Sequence, residues 1–279
     1  ICLTSALREA REDIFLNCTV GTWASPFWLQ FADAIWRQDA DWSTIGDQGN
    51  TRQRWITYRD YMVYKNFTAA SPLCPINSLM THGLMISGFG NAGGNPPRAM
   101  EDDASACTVA EITKEMRCAF ACGSSLVELY IDHELMTNKE NGKLWGELAE
   151  CIKWHRNNAD VLDDTHWVGG NPWDGSRANV YGWASWNGAK SVLTLRNPCN
   201  TSQTFTTTLR QALDIPDYIT GSVILSDAFE GQTQYIGISN SKIDIDENIT
   251  FNMPAFDVVV LNGICKSKKQ HSYCKNNKK

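Results

Sequence analysis

The spacing of apolar positions changes once along this chain. As far as about residue 170, short apolar runs alternate with segments whose apolar residues recur at helical spacing; beyond it the period is two. Residues 3–13 read as the end of a helix, and IFLNCTVG is an apolar run stopped by Gly21, as a buried strand opening into a loop would be. SPFWLQFADAIWRQ predicts a short helical turn after Pro26 and then strand-like Ala34-Ile35-Trp36. TRQRWITYRDYMVYKNFT predicts a helix with Thr51 as its N-cap. An apolar segment around NSLMTHGLMISG follows, then a Gly/Pro/Asn-rich loop to about Ala106. Thr108 caps a second helix ending at Gly123, SLVELYIDHELM reads as a connection, and GKLWGELAECIKWHRNNADVL predicts a third helix. Strand, loop, helix in repetition is the order of a parallel α/β sheet.

GGNPWDGSRAN is a turn-rich boundary, and after it VYGWASW, KSVLTLRNP, SQTFTTTLR, GSVILSDAF, SKIDIDEN and ITFNMPAFDVVVLNGI read as six strands. The division expected is an α/β portion over 1–170, an antiparallel β-sandwich without helix over 171–265, and a basic, Cys-containing tail over 266–279.

Composition narrows the function. A net charge of −6 over 279 residues argues against a general nucleic-acid binder, which needs phosphate-neutralising Lys and Arg. The six Lys after Cys265 read as a solvated terminus. Ten Cys, without zinc-ligand spacing, accompany four Asn-x-Ser/Thr sequons at Asn17, Asn66, Asn200 and Asn248. Together they predict a secreted glycoprotein with disulfides, Cys265 and Cys274 being candidates to close the tail. Residues 1–16 lack the form of a signal peptide, and no apolar run of about 18 residues is present to span a membrane. A secreted chain starting at Ile1 is expected to be a mature product or a fragment.

The eleven Trp are clustered, five of them between Trp23 and Trp55. In NCTVGTWASPFWLQFADAIWRQDAD, Trp23, Trp28 and Trp36 surround Asp33, Arg37, Asp39 and Asp41. Indole faces stack on sugar C–H faces, and Arg and Asp fork onto ring hydroxyls, so carbohydrate is the ligand this mixture suits. A Trp-rich core strand ending in a charged loop has the same composition.

CTVGTWASPFW, then IWRQDAD, then a long helix resemble the last barrel strands of α-galactosidase and α-N-acetylgalactosaminidase glycoside hydrolases, in which one strand ends in a Cys-and-Trp motif and the next carries Trp-Arg-x-x-x-Asp. The resemblance implies the C-terminal portion of a (β/α)8 TIM barrel over 1–170 followed by an antiparallel β-sandwich. It makes Asp41 the general acid/base of retaining hydrolysis and Arg37 a ligand of sugar hydroxyls, with no metal or organic cofactor. Asp39 is the alternative acid; Asp33, Trp23, Trp28, Trp36 and His82 are further candidates to line the site.

One departure bears on activity. A full barrel takes about 250 residues, and only some three strand–helix units precede the sandwich here. The Lys-x-Asp strand that carries the nucleophile in these hydrolases has no counterpart before Asn17. An N-terminal barrel segment or another protein chain is therefore the expected partner, and a non-catalytic secreted or surface glycoprotein using the fold for binding or assembly is the alternative function.

Overall fold

The computed structural model of the chain describes residues 2–19, 25–70, 74–86, 103–131, 133–137 and 142–269. Helix α1 (Cys2–Ala10) precedes the two-residue strand β1 (Asn17–Cys18), a 3-10 turn at Pro26–Gln30 and strand β2 (Ala34–Trp36). Helix α2 (Thr51–Val63) runs on through a π-helical turn at Tyr64–Thr68 into β3 (Leu79–Met85). Helix α3 (Val109–Ala121) leads to β4 (Leu126–Tyr130). All four strands pair in parallel in the order β1-β2-β3-β4, so each crossover returns the chain to the next strand of one sheet.

The caps explain the helix starts. Thr108 accepts from the Glu111 N–H as expected. The cap of α2 is Asn50, one residue before the Thr51 predicted, and it accepts from Gln53 N at 3.0 Å. Its Nδ2 also donates to Glu111 Oε2 at 3.0 Å, which Gln53 Nε2 reaches at 2.8 Å, tying the starts of α2 and α3 together.

SLVELY is a correction: the segment taken for a connection contains β4, which forms one edge of the parallel sheet. Its five residues carry Glu128 in the middle, which masked the strand signal.

Beyond β4 come α4 (His133–Thr137), α5 (Leu144–Asn157), α6 (Ala159–Leu162) and β5 (His166–Gly169). The antiparallel part then runs β6 (Tyr181–Trp186), β7 (Lys190–Arg196), β8 (Gln203–Thr208), the short helix α7 (Leu209–Ala212), β9 (Ile219–Asp227), β10 (Lys242–Asp244), β11 (Asn248–Met253) and β12 (Val258–Lys269). Six strands form one sheet in the order β10-β9-β12-β7-β6-β5, and β11 pairs with β8 in a second. Leu193, Leu195, Val223, Leu225, Phe251 and Val259 belong to one apolar cluster shared by the two sheets.

Four details differ from the sequence reading. The six-stranded sheet starts at β5, before the turn at Gly169–Asn179. A helix, α7, does occur within the antiparallel part, held by a Thr208–Gln211 capping box. ITFNMPAFDVVVLNGI is two strands, because Phe256 takes φ 53 in the turn between them. Lys266–Lys269, expected in the tail, extend β12 along β9, with Lys266 opposite Ser222 and Lys269 opposite Ile219. No disulfide joins any of the described cysteines, and Cys274 lies outside the described residues. Several are committed elsewhere: Cys118 Sγ donates to Asp60 Oδ2 at 3.5 Å and Cys122 Sγ to Ala119 O at 3.1 Å. No helix among the described residues is long and apolar enough to cross a membrane.

Candidate functional site

Parallel strands present their C-terminal ends on one rim, where the following loops meet. The loop after β2 carries Arg37 to Asp41, and its backbone is unusual. Gln38 and Asp39 are both left-handed, at φ 71 and 69. Non-glycine residues there cost roughly 1–2 kcal/mol each, so such a turn persists only when its surroundings hold it. Arg37 supplies much of that hold. It is wholly buried, and its guanidinium donates to Gln38 O at 2.8 Å and Ala40 O at 3.1 Å while lying 5.6 Å from the centre of the Tyr58 ring. Burial lowers its pKa to about 10, against the opposing pull of Tyr58. In this geometry Arg37 braces the loop.

The remaining braces come from α2 and the π-helical turn. Tyr58 Oη accepts from Ala40 N at 3.2 Å. Asn66 Nδ2 donates to Arg37 O and to Asp39 Oδ2, each at 3.1 Å, and Lys65 Nζ lies 3.6 Å from Asp39. Asp39 is thus engaged by two partners. Gln38 is 8% exposed, and its Nε2 is buried with no hydrogen-bond partner among the described residues. Trp42, which follows Asp41, stacks on the buried Trp55 at 4.9 Å between ring centres, and Trp55 Nε1 donates to Glu115 Oε1 at 2.9 Å. These contacts fix the loop on both sides of Asp41.

Asp41 is half-buried, and its charge reaches Tyr130 of β4. Tyr130, the last residue of β4, donates its hydroxyl to Glu128 Oε2 at 2.8 Å. Burial, that hydrogen bond, and the charges of Glu128 and Asp41 all push the Tyr130 pKa up, so the phenol stays protonated. Asp41, Glu128 and Tyr130 therefore share one neighbourhood, built from the ends of two strands flanking β3. Between them β3 carries a bulge: Thr81 pairs with Val127 and Leu84 with Leu129, so His82 and Gly83 together oppose Glu128. A Cβ on Gly83 would stand 2.2 Å from Glu128 O, so only glycine allows the close approach there.

The end of β3 is clamped from behind. Arg52, wholly buried, donates to Met85 O, to Ile86 O at 3.1 Å and to Glu115 Oε2, and Glu115 Oε1 accepts from Met85 N at 3.1 Å. Arg52 is thus a core residue, in a buried salt bridge with Glu115. Arg54 donates to Gly46 O at 3.1 Å.

Of the residues singled out in the sequence, Asp39 and Asp41 lie on the rim and Arg37 beneath it. Asp33 does not join them. It precedes β2, at the opposite end of the strand, where it accepts from Leu16 N at 2.7 Å and from Arg8 Nη2 at 3.0 Å. Trp36 ends β2, half-buried, with the Arg37 guanidinium carbon 5.9 Å from its ring centre. Trp28 packs on the apolar cluster around Ile35 and Trp55. His82 lies in the β3 bulge, its side chain outside the described part, and Trp23 lies outside the described residues. Glu128 and Tyr130 were not anticipated. Their signal was a carboxylate and a phenol two residues apart near the end of a short apolar run, visible once that run is known to be a strand. Among the described residues no group of His, Cys, Asp and Glu is arranged to hold a metal ion.

No family model matches the chain, and no curated protein does. Solved structures do. α-Galactosidase I from Mortierella vinacea superposes with a TM-score of 0.51 at 15% identity over 94% of this chain and 61% of that one. The α-galactosidase of Saccharomyces cerevisiae gives 0.54 at 10% identity over 94% of this chain and 66% of its own. An acarbose-complexed α-amylase from Geobacillus thermoleovorans gives 0.51 at 10% identity, over 93% and 55%. This chain therefore spans between about half and two-thirds of the length of these neighbours. At 10–15% identity the likeness to these structures is one of fold.

Proposed function

We propose that this chain is a carbohydrate-active, secreted protein carrying the acid/base side of a retaining α-galactosidase-type glycoside hydrolase. Its four parallel strands are part of a (β/α)8 barrel completed by an N-terminal segment or a partner chain. The observation that supports the reading is that Asp41 lies in the loop after β2, half-buried, where its charge acts on Tyr130 of β4, while Asp39 is occupied by Asn66 and Lys65. Retaining hydrolysis uses two carboxyl groups about 5–5.5 Å apart across the scissile bond. Asp41, as the acid, protonates the glycosidic oxygen while a carboxylate from the completing segment bonds to the anomeric carbon and the aglycone leaves. Asp41, now a carboxylate, takes a proton from water, whose oxygen attacks the same carbon and frees the nucleophile. Tyr130, held protonated, keeps Glu128 oriented as an acceptor for a sugar hydroxyl. The buried Gln38 amide is a donor on the same loop.

The test is hydrolysis of aryl α-galactosides and α-N-acetylgalactosaminides by the chain together with its completing segment. Asp41→Asn is expected to lower kcat by about 10²–10⁴-fold, while Asp39→Asn keeps kcat within a few-fold. Unchanged turnover in Asp41→Asn overturns the assignment. A completed barrel that binds these sugars without cleaving them supports the alternative, a non-catalytic glycoprotein built on the fold.

A further inference from the structure

The four sequons are equal in sequence and unequal in the fold. On β1, Asn17 points its amide inward: Nδ2 lies 2.9 Å from Met80 Sδ, and Oδ1 is buried with no partner among the described residues. Asn66 directs Nδ2 at both Arg37 O and Asp39 Oδ2, 3.1 Å away in each case, so its two amide hydrogens are used in bracing the left-handed turn. Asn200 is exposed in the turn after Cys199, where its backbone N–H donates to Gln48 Oε1 at 3.0 Å. Asn248 is exposed as the first residue of β11.

N-glycosylation forms a bond between Asn Nδ2 and the anomeric carbon of the sugar. The bond from that carbon to the diphosphate of a lipid-linked oligosaccharide breaks, the diphosphate departs, and Nδ2 gives up one proton. The acceptor is left with a single N–H and a bulky substituent. Asn66 cannot then keep both of its hydrogen bonds, and Asn17 would have to drag a glycan between β1 and Met80. Asn200 and Asn248 lose nothing. We propose that the folded protein is a glycan acceptor at Asn200 and Asn248 and refuses glycans at Asn17 and Asn66.

Their positions give the pair a physical role. Asn248 pairs with Thr208 at one end of the β8–β11 ladder; Gln203 pairs with Met253 at the other, just after Asn200. Between them lies an exposed face in which Thr204 bonds Asn252 at 3.1 Å and Thr206 bonds Thr250 at 3.0 Å. Among the described residues β8 and β11 pair only with each other, so each has an open edge, the feature through which sheets associate. A glycan at either end brackets those edges.

The test shares the secretory setting of the proposed function but not its chemistry, since a hydrolytically dead chain gives the same map. The chain is secreted behind a cleavable leader from a eukaryotic host, and the monodisperse fraction is mapped by glycopeptide mass spectrometry. Glycans are expected at Asn200 and Asn248, with Asn17 and Asn66 bare. Ser202→Ala and Thr250→Ala should each remove one glycan, while Thr19→Ala and Thr68→Ala leave the glycan mass unchanged. A glycan on Asn17 or Asn66 in that fraction overturns the proposal, as does a bare Asn200 or Asn248, or retention of the whole wild-type pool in the cell.

Discussion

Asp33 and Asp41 sit among the same tryptophans in sequence and at opposite ends of β2 in space. That separation makes Asp33 a stability group. Burial works to raise its pKa, but the Leu16 N–H and the Arg8 guanidinium outweigh it and hold the carboxyl below its usual range. A carboxyl with a folded-state pKa below the unfolded value of about 3.9 contributes its full stabilisation above that value. The contribution falls away as pH drops through the unfolded and then the folded pKa. Asp33→Asn is therefore expected to lower the urea midpoint at pH 6 and to lessen the dependence of that midpoint on pH between 4 and 2. Wild-type and variant curves falling in parallel would rule this out. At this scale the sequence was informative about residue type and silent about direction. The Trp-Arg-x-x-x-Asp spacing could be read directly, whereas the turning of the Arg37 guanidinium onto Gln38 O and Ala40 O depends on two left-handed residues that no sequence rule signals.

Among the elements, those with strong local signals were legible. The Thr108 cap and the helical periodicity around Trp154 led to α3 and α5, and period-two alternation led to most of the antiparallel strands. β4 was not, because its partners and not its own five residues make it a strand: Met80 and Thr81 pair with Leu126 and Val127 before the bulge. That bulge brings His82 and Gly83 opposite Glu128, and Gly83 is what permits it. Gly83→Ala would put a methyl carbon 2.2 Å from Glu128 O and 3.0 Å from Glu128 C, against backbone that cannot rotate away. The expected result is separation of β3 from β4, with loss of about 2 kcal/mol or more of stability, of the order that overpacking produces. Hydrogen exchange should show faster amides in β3 and β4 and unchanged protection in β9 and β12. Wild-type protection in β4 of the Gly83→Ala variant would refute the role given to the bulge.

The whole molecule is joined through charge buried between its two parts. Arg52, Arg59 and Arg196 are each wholly buried; Arg52 and Arg59 pair with the carboxylates of Glu115 and Asp60, and Arg196 is linked to Asp60 through the Tyr181 hydroxyl. Arg59 Nε meets Asp60 Oδ1 at 2.8 Å, and the Tyr181 hydroxyl of β6 donates to Asp60 Oδ2 at 2.6 Å. Arg196 of β7 reaches back to the same hydroxyl at 2.7 Å, to Thr57 Oγ1 at 3.0 Å and to Gln53 Oε1 at 2.7 Å. Helix α2, which braces the Asp41 loop through Tyr58, is thereby one of the helices that meet the antiparallel sheet; α3 meets it too, where Arg117 donates to Glu230 O at 2.7 Å. None of this was readable beforehand, because Arg52 and Arg59 on a helix look like solvent charges until their partners on α3, β6 and β7 are known. The charge count decides which member matters most. Removing Asp60 leaves three guanidinium groups opposite one carboxylate, an uncompensated burial expected to cost about 3–5 kcal/mol. Removing Arg196 leaves two opposite two, and a Met side chain fills most of its space. Asp60→Asn should therefore lower stability by more than Arg196→Met, and it should loosen the α2 contact with β6 as well as the core of the α/β part. Urea unfolding followed by both Trp fluorescence and far-UV circular dichroism tests the ranking. Coincident transitions with Arg196→Met the less stable of the two would show that hydrogen bonding across the interface, and not charge balance, holds the parts together.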